Sequence, residues 1–300
     1  MFDKLEIEAS ILDSTQQMTR ERTNGDMRLG NIVLVAVKCP KTRMITKYKA
    51  QIENLHITYM YKTSTIRVSN SIHKFVKGNN YSDLTFSELC YGLGAIEELT
   101  GINIEKWRIR KMEIGFNIET KKKGTEYLPL FSTFKNKTPD KMRKDVFWYG
   151  VKWFFSEYEL KIYDKTGEVK KHDRVLLNTN ILRFEISINR IRKIPVIQLL
   201  SDLQNKNTLR ALFDFFISEI KRIKTIESVD LSQVSKERDV EMFFAGQNEL
   251  YWQHQKKINP EGVKKKRNRY LRILNEVSTR NVMNEFLEKL CGKFHKFISS

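Results

Sequence analysis

Apolar side chains recur at every second position through much of the first two thirds of this 300-residue chain. Leu5, Ile7, Ala9 and Ile11 follow that period, as do Leu55, Ile57, Tyr59 and Tyr61, and Ile66 with Val68. Successive side chains of a strand point to opposite faces, so this spacing predicts strands with one apolar and one polar face. Asn31 to Val37 is rich in β-branched residues and ends at Cys39-Pro40, where a strand should stop. Thr23-Asn24-Gly25-Asp26 and Lys77-Gly78-Asn79-Asn80 read as turns between such runs.

The period then changes. Thr85-Phe86-Ser87-Glu88 reads as a capping box, and Leu89, Leu93, Ile96 and Leu99 recur at helical spacing before Gly101. Strands return at Met112 to Ile118, Tyr158 to Asp164 and Ile181 to Ile188. The polar, basic stretch from Lys121 to Asp145 between them is expected to be a long loop. After Pro195, Val196, Leu199, Leu200 and Leu203 form one helical stripe, and Leu209, Leu212, Phe213, Phe216 and Ile220 another. Strands first and helices last predict an α+β fold, an antiparallel sheet with helices packed on one face and a basic helical C-terminal region. The expected division is 1–225 for the sheet domain and 226–300 for the basic helices.

Lys and Arg number 54 against 36 Asp and Glu, a net charge of +18. Like charges in such excess oppose compaction but concentrate polyanions at the surface, so nucleic acid is the first partner expected. The longest apolar run falls far short of the ~20 residues that span a bilayer, and the basic segments lack a sustained apolar opposite face; no membrane partner is expected. No basic leader with an apolar core opens the sequence, and Cys39, Cys90 and Cys291 are too widely spaced for a disulfide framework or a zinc pair. Reduced thiols in a cytoplasmic protein follow as the expectation.

Three strands have polar faces with a distinctive content. Glu113 and Asn117 share one; Glu159, Lys161, Tyr163 and Lys165 a second; Arg183, Glu185, Ser187 and Asn189 a third. Adjacent in a sheet, they would present carboxylates, a phenol and several cations on one side. That is either the wet side of an ordinary antiparallel sheet or a place where hard ligands hold Mg²⁺ or Mn²⁺ against a phosphate. A phenol, with a pKa of about 10, needs a metal or a base before it attacks phosphorus. Ser71-Ile72-His73-Lys74-Phe75 runs into Gly78-Asn79-Asn80 and offers His73 as a metal ligand, with Lys74 and Asn79 for phosphate; a polar loop with an incidental histidine is the alternative. Tyr149 and Lys152, in Trp148-Tyr149-Gly150-Val151-Lys152-Trp153, interleave aromatic and cationic groups as single-strand binding requires. Lys264, Lys265, Lys266, Arg267 and Arg269 form a basic run suited to duplex phosphates, or a solvated helix face.

Four segments, in order, resemble the replication initiators of rolling-circle phages and plasmids, in particular the replication endonucleases of filamentous phages. They are Ser71 to Phe75 with Gly78-Asn79-Asn80; Arg110-Lys111-Met112-Glu113-Ile114-Gly115-Phe116; Lys161-Ile162-Tyr163-Asp164-Lys165; and Leu182-Arg183-Phe184-Glu185-Ile186. The opening Met1 to Leu5 is similar to the short leading strand of that family, and the resemblance runs to about Arg190. It implies a metal-dependent enzyme that nicks one strand of an origin and keeps the 5′ end on a tyrosine. Tyr163 then corresponds to the nucleophile, with Lys165 beside it; Glu113 and Glu185 are the acids, His73 is the imidazole, and Lys161 and Arg183 contact DNA. Mg²⁺ or Mn²⁺ is the implied cofactor. Origin DNA, a host helicase and a polymerase are the implied partners, and a homodimer is expected. The chain departs from the family where Glu113 replaces an aspartate, where Asn117 replaces a second acid, and in having no His-hydrophobic-His pair. Tyr149 and Tyr158 compete with Tyr163 as nucleophile, although parity assigns Tyr158 to the apolar face. A mobilisation relaxase and a non-catalytic basic nucleic-acid-binding protein remain as alternatives.

Overall fold

The computed structural model describes residues 2–13, 18–20, 25–144, 146–191, 197–226, 234, 236–277 and 281–300. Met1, Thr23 and Asn24 of the segments above, Asp145, and Pro195 and Val196 lie outside them.

The alternating runs form strands. They are β1 (Phe2–Ser10), β2 (Met18–Arg20), β3 (Met27–Leu29), β4 (Ile32–Lys38), β5 (Ile45–Ile52), β6 (Leu55–Met60) and β7 (Thr65–Ser71). A short helix α1 (Ile72–Lys77) and the longer α2 (Phe86–Thr100) follow, then β8 (Arg108–Thr120). After a single turn, α3 (Gly124–Tyr127), come β9 (Phe131–Phe134), β10 (Asp140–Lys144), β11 (Phe147–Phe154), β12 (Tyr158–Asp164), α4 (Lys165–His172) and β13 (Asn180–Ile188). The remainder is α5 (Lys206–Ile220), β14 (Ile223–Thr225), α6 (Glu237–Gly246), α7 (Glu249–Ile258), α8 (Pro260–Val277) and α9 (Asn281–Ser299). The chain is α+β. Among the described residues, twelve strands make one antiparallel sheet in the order β10-β11-β12-β13-β8-β1-β7-β6-β5-β4-β3-β2, and β14 pairs with β9 apart from it.

Capping chemistry sets α2 as the sequence predicts. The Thr85 hydroxyl accepts from the Glu88 N–H at 3.1 Å, Glu88 accepts from the Thr85 N–H at 2.9 Å, and Gly101 closes the helix at φ +63°. Two expectations need correction. Residues 121–144 are not a long loop: they hold α3, β9 and the edge strand β10, because Phe131 and Phe134 are buried and anchor the stretch. The stripe through Leu199, Leu200 and Leu203 is a 3₁₀ turn over Leu200–Gln204 and not a longer helix, because the Asn205 side chain caps α5 from the Asn207 N–H and starts a new axis there.

The apolar face of β8, β12 and β13 (Ile114, Phe116, Leu160, Ile162, Phe184 and Ile186) packs against α5 and α9, with Phe116 on Phe213 and Phe216 and Phe184 on Phe286. Thus α9 returns to the main core through Phe286, Leu290, Phe294 and Phe297. By contrast, α6 and α8 pack around their own small cluster of Phe243, Tyr270, Leu271, Ile273 and Leu274. Among the described residues no helix is long and apolar enough to cross a membrane.

Candidate functional site

Register brings the predicted polar residues together. Across β11, β12, β13 and β8, Gly150 faces Tyr163, Tyr163 faces Arg183, and Arg183 faces Asn117; one step along, Lys161 faces Glu185 and Glu185 faces Gly115. Two glycines make room in these rows. A Cβ at Gly115 would stand 2.5 Å from Nη2 of Arg183, so its absence lets the guanidinium lie against the β8 backbone. A Cβ at Gly150 would stand 2.7 Å from that of Tyr163.

Asp3 joins this group, and the alternation hides it. In β1 the odd positions 5, 7 and 9 are apolar, which by parity would turn Asp3 to the greasy side. A bulge between Phe2 and Leu5, opposite Ile114 and Met112, shifts the phase. Phe2 and Leu5 are both buried in the core as a result, and Asp3 reaches the polar face.

The resulting network is dense. Arg183 donates to Glu185 at 2.9 Å, to Asn117 at 3.0 Å and to Asp3 at 3.3 Å. Lys161 donates to Ser187 at 2.9 Å, to Glu185 at 3.1 Å and to Glu113 at 3.4 Å, while Ser187 donates to Glu113 at 2.9 Å. Asn80 donates to Asp3 at 2.8 Å, and Asn117 to the carbonyls of Asn80 and Tyr81, so the turn after α1 covers this end of the site. The Tyr163 hydroxyl donates to Glu185 at 3.2 Å. The phenol is only 8% exposed, yet it lies on the polar side and outside the hydrophobic cluster.

The charges are tuned by these contacts. Burial works against the Asp3 carboxylate, but Arg183 and the hydrogen bonds of Ser71 and Asn80 outweigh it and hold the group well below the usual carboxylate range. Burial likewise opposes ionised Glu185, and Arg183 with Lys161 overcome it. Glu113 goes the other way: burial and the neighbouring Glu185 charge raise it, despite Lys161 and Lys4. Tyr163 is pushed well above 10 by burial and by the Glu185 charge. The phenol is therefore held neutral.

One carboxylate oxygen each from Asp3, Glu113 and Glu185 lie within 4.8 Å of one another. Hard oxygen donors at that spacing suit Mg²⁺ or Mn²⁺. The donor set fits such an ion. His73 joins no such group among the described residues; the carboxylate of Asp3 stands where the imidazole was expected. His73 is buried on α1, neither ring nitrogen has a partner, and burial with nearby positive charge, Arg183 included, lowers it to about 3.

The remaining predicted residues divide. Lys165 is buried and pairs with Glu168 at 2.5 Å. Lys74 pairs with Asp173 at 3.6 Å, and the Asn79 side chain serves its own turn, accepting from Tyr81 and Ser82 N–H groups. Tyr158 is buried on the apolar side, where parity places it, and donates to Glu219. Tyr149 is the extra residue of a bulge in β11 and is half-buried. Lys152 stands 4.3 Å from the ring centre of exposed Phe154, and Lys141 4.8 Å from that of Trp148. On α8, Lys266 binds Gln255, Arg267 binds Thr138 and Arg269 binds Asp239, while Lys264 and Lys265 are exposed.

Beside Glu113 the sheet opens into a groove of about 340 Å³, lined by Lys4, His56, Asn70, Lys111 and Ser187 among others. No protein-family model matches the chain, and no curated protein matches it.

Proposed function

We propose that the chain is a DNA strand-nicking and strand-transfer endonuclease that initiates rolling-circle replication in the cytoplasm, with Tyr163 as the nucleophile. The observation that carries this reading is the Tyr163 hydroxyl donating to Glu185, one of three carboxylates gathered within 4.8 Å. A phenol buried beside an acid cluster on a chain of net charge +18 suits attack on a phosphodiester better than it suits a plain wet sheet face.

Asp3, Glu113 and Glu185 would hold Mg²⁺ or Mn²⁺. Such an ion supplies neutralisation of charge developing on a phosphate oxygen. The groove along Lys4 and Lys111 admits the strand beside Glu113. In the resting arrangement, transfer of the phenol proton to Glu185 is uphill, since the phenol is raised and the carboxyl lowered. An incoming phosphate competes for Lys161 and Arg183, and each contact they give up makes Glu185 a stronger base. The Tyr163 oxygen then forms its bond to phosphorus as its proton passes to Oε2 of Glu185, the bond to the 3′ oxygen breaks, and the departing 3′ oxygen takes a proton from solvent water. The products are a 5′-phosphotyrosine and a strand whose 3′-hydroxyl primes synthesis. The DNA, a helicase and a polymerase are the partners of this reading, with a second copy to close the cycle.

The test is to incubate the protein with labelled single-stranded and supercoiled DNA from the replicon that encodes it, with Mn²⁺, and to look for an adduct that survives denaturation. Tyr163→Phe is expected to abolish the adduct and Tyr158→Phe to leave it; full nicking by Tyr163→Phe overturns the assignment. A non-catalytic DNA binder is favoured by one observation, that Lys161 and Arg183 already engage every carboxylate of the cluster. On that reading Glu113→Ala and Tyr163→Phe leave DNA affinity unchanged and no adduct forms with any metal.

A further inference from the structure

Behind the carboxylate cluster, between α1, β8 and α9, lies a second cavity of about 60 Å³. Because a buried water needs only about 10–15 Å³ of such space, it has room for several waters or one tetrahedral oxyanion. It is lined by His73, Ser82, Asp83, Arg183, Lys293 and Lys296 among others.

Two observations of different kinds meet there. The first is a set of buried polar atoms without partners: both ring nitrogens of His73, which is 2% exposed, and Oγ of Ser82. A buried polar atom left unpaired costs on the order of 1–3 kcal/mol, and native proteins rarely leave several in one place. A ligand in the cavity that accepts hydrogen bonds can pair Ser82 Oγ and one of the ring nitrogens. The second is charge. Lys293 binds both oxygens of Asp83, at 2.8 and 3.0 Å, and Lys296 approaches the same carboxylate at 3.8 Å, so two ammonium groups share one acid at the mouth. Arg183 also lines the cavity, but its charge is taken by Asp3 and Glu185. The two lysines against Asp83 leave an excess of one positive charge.

We infer that this cavity is an anion site that takes one phosphate group, held by Lys293 and Lys296 from α9, by Ser82 and by the imidazole of His73. A phosphate oxygen accepts from an ammonium, from the Ser82 hydroxyl and from one imidazole N–H. The volume admits the phosphate and excludes a base, so a nucleotide would leave its sugar and base outside, past exposed Lys296. The inference stands whether or not Tyr163 is a nucleophile. It gives α9, which is otherwise a packing helix, a binding role.

The phosphate has two sources, free phosphate or a backbone phosphate of single-stranded DNA, and the experiment separates them. The full chain is titrated with inorganic phosphate, and separately with a short single-stranded oligonucleotide bearing no terminal phosphate, at constant ionic strength. Calorimetry and the imidazole NMR signals of His73 are the readouts. A free-phosphate site gives saturable binding of inorganic phosphate that moves the His73 signals. A backbone site moves them with the oligonucleotide alone. In either case Lys293→Gln with Lys296→Gln weakens binding at least tenfold, while Lys41→Gln with Lys62→Gln, the same charge change on exposed lysines of the turns after β4 and β6, does not. If neither ligand moves the His73 signals of the wild-type chain, or if the two lysine pairs behave alike, the site is refuted.

Discussion

The two halves of the sheet begin from the same alternating pattern and end differently. In β4, exposed Val33 and Val35 alternate with buried Ile32 and Leu34, as one open face and one covered face require. In β13 every residue from Ile181 to Ile188 is buried, charged Arg183 and Glu185 included. Between β7 and the far end of β1 the ions lie at the surface: Arg67 of β7 meets Glu8 at 3.1 Å with 37% of its side chain exposed. Arg183 and Glu185 of β13 and Asp3 at the start of β1 are buried. Solvent screens the first kind of pair to little net value, whereas the second kind must be complete to be tolerated. Where a sheet buries its polar face, the charges there must be paired, as Lys161 and Arg183 pair Glu185 here.

The largest expected effect breaks this contrast at its centre. Arg183→Met leaves Asp3 and Glu185 buried beside each other without their shared cation, and should cost about 3–5 kcal/mol in urea denaturation. Arg67→Met on β7 should cost less than about 1 kcal/mol. Equal losses at the two positions would dissolve the distinction.

Next in size is a pH effect. Burial lowers His73 to about 3, so between that value and the ordinary 6.5 the unfolded chain binds a proton that the folded chain refuses. Stability should therefore fall as pH drops below about 6.5, by roughly 1.4 kcal/mol per unit from this group. Urea midpoints taken at pH 7, 6 and 5 should show a shallower decline for His73→Gln than for the wild type. A smaller pair of substitutions sharpens the comparison further. Ser187→Ala removes bonds to both Lys161 and Glu113 and should cost about 1 kcal/mol. Val35→Thr, on the open face of β4, should stay within about 0.5 kcal/mol in the same measurement.

Much of this could be read in the residues. The strands β6, β8, β12 and β13 fall where period two places them, and the Thr85–Glu88 box opens α2 as its chemistry demands. Parity correctly separates Tyr163 from Tyr158, and the shared face of Glu113, Lys161 and Glu185 follows from the same rule. The stretch 121–144 was illegible because short strands with basic exposed faces have the composition of a loop, and only the anchoring phenylalanines distinguish them. Gly115 and Gly150, glycines inside strands, were the available signals that bulky side chains cross the sheet there.

Local alternation thus determined which residues form strands and which of them look the same way, because side-chain direction along a strand depends only on near neighbours in the chain. Tertiary structure alone decided that a bulge in β1 turns Asp3 toward Arg183, 180 positions away, that Lys161 stands between two glutamates, and that α1 covers Arg183 but leaves Glu113 beside an open groove. Burial and pairing of charge are set by surfaces that meet only after folding, and no spacing along the chain encodes which surfaces those are.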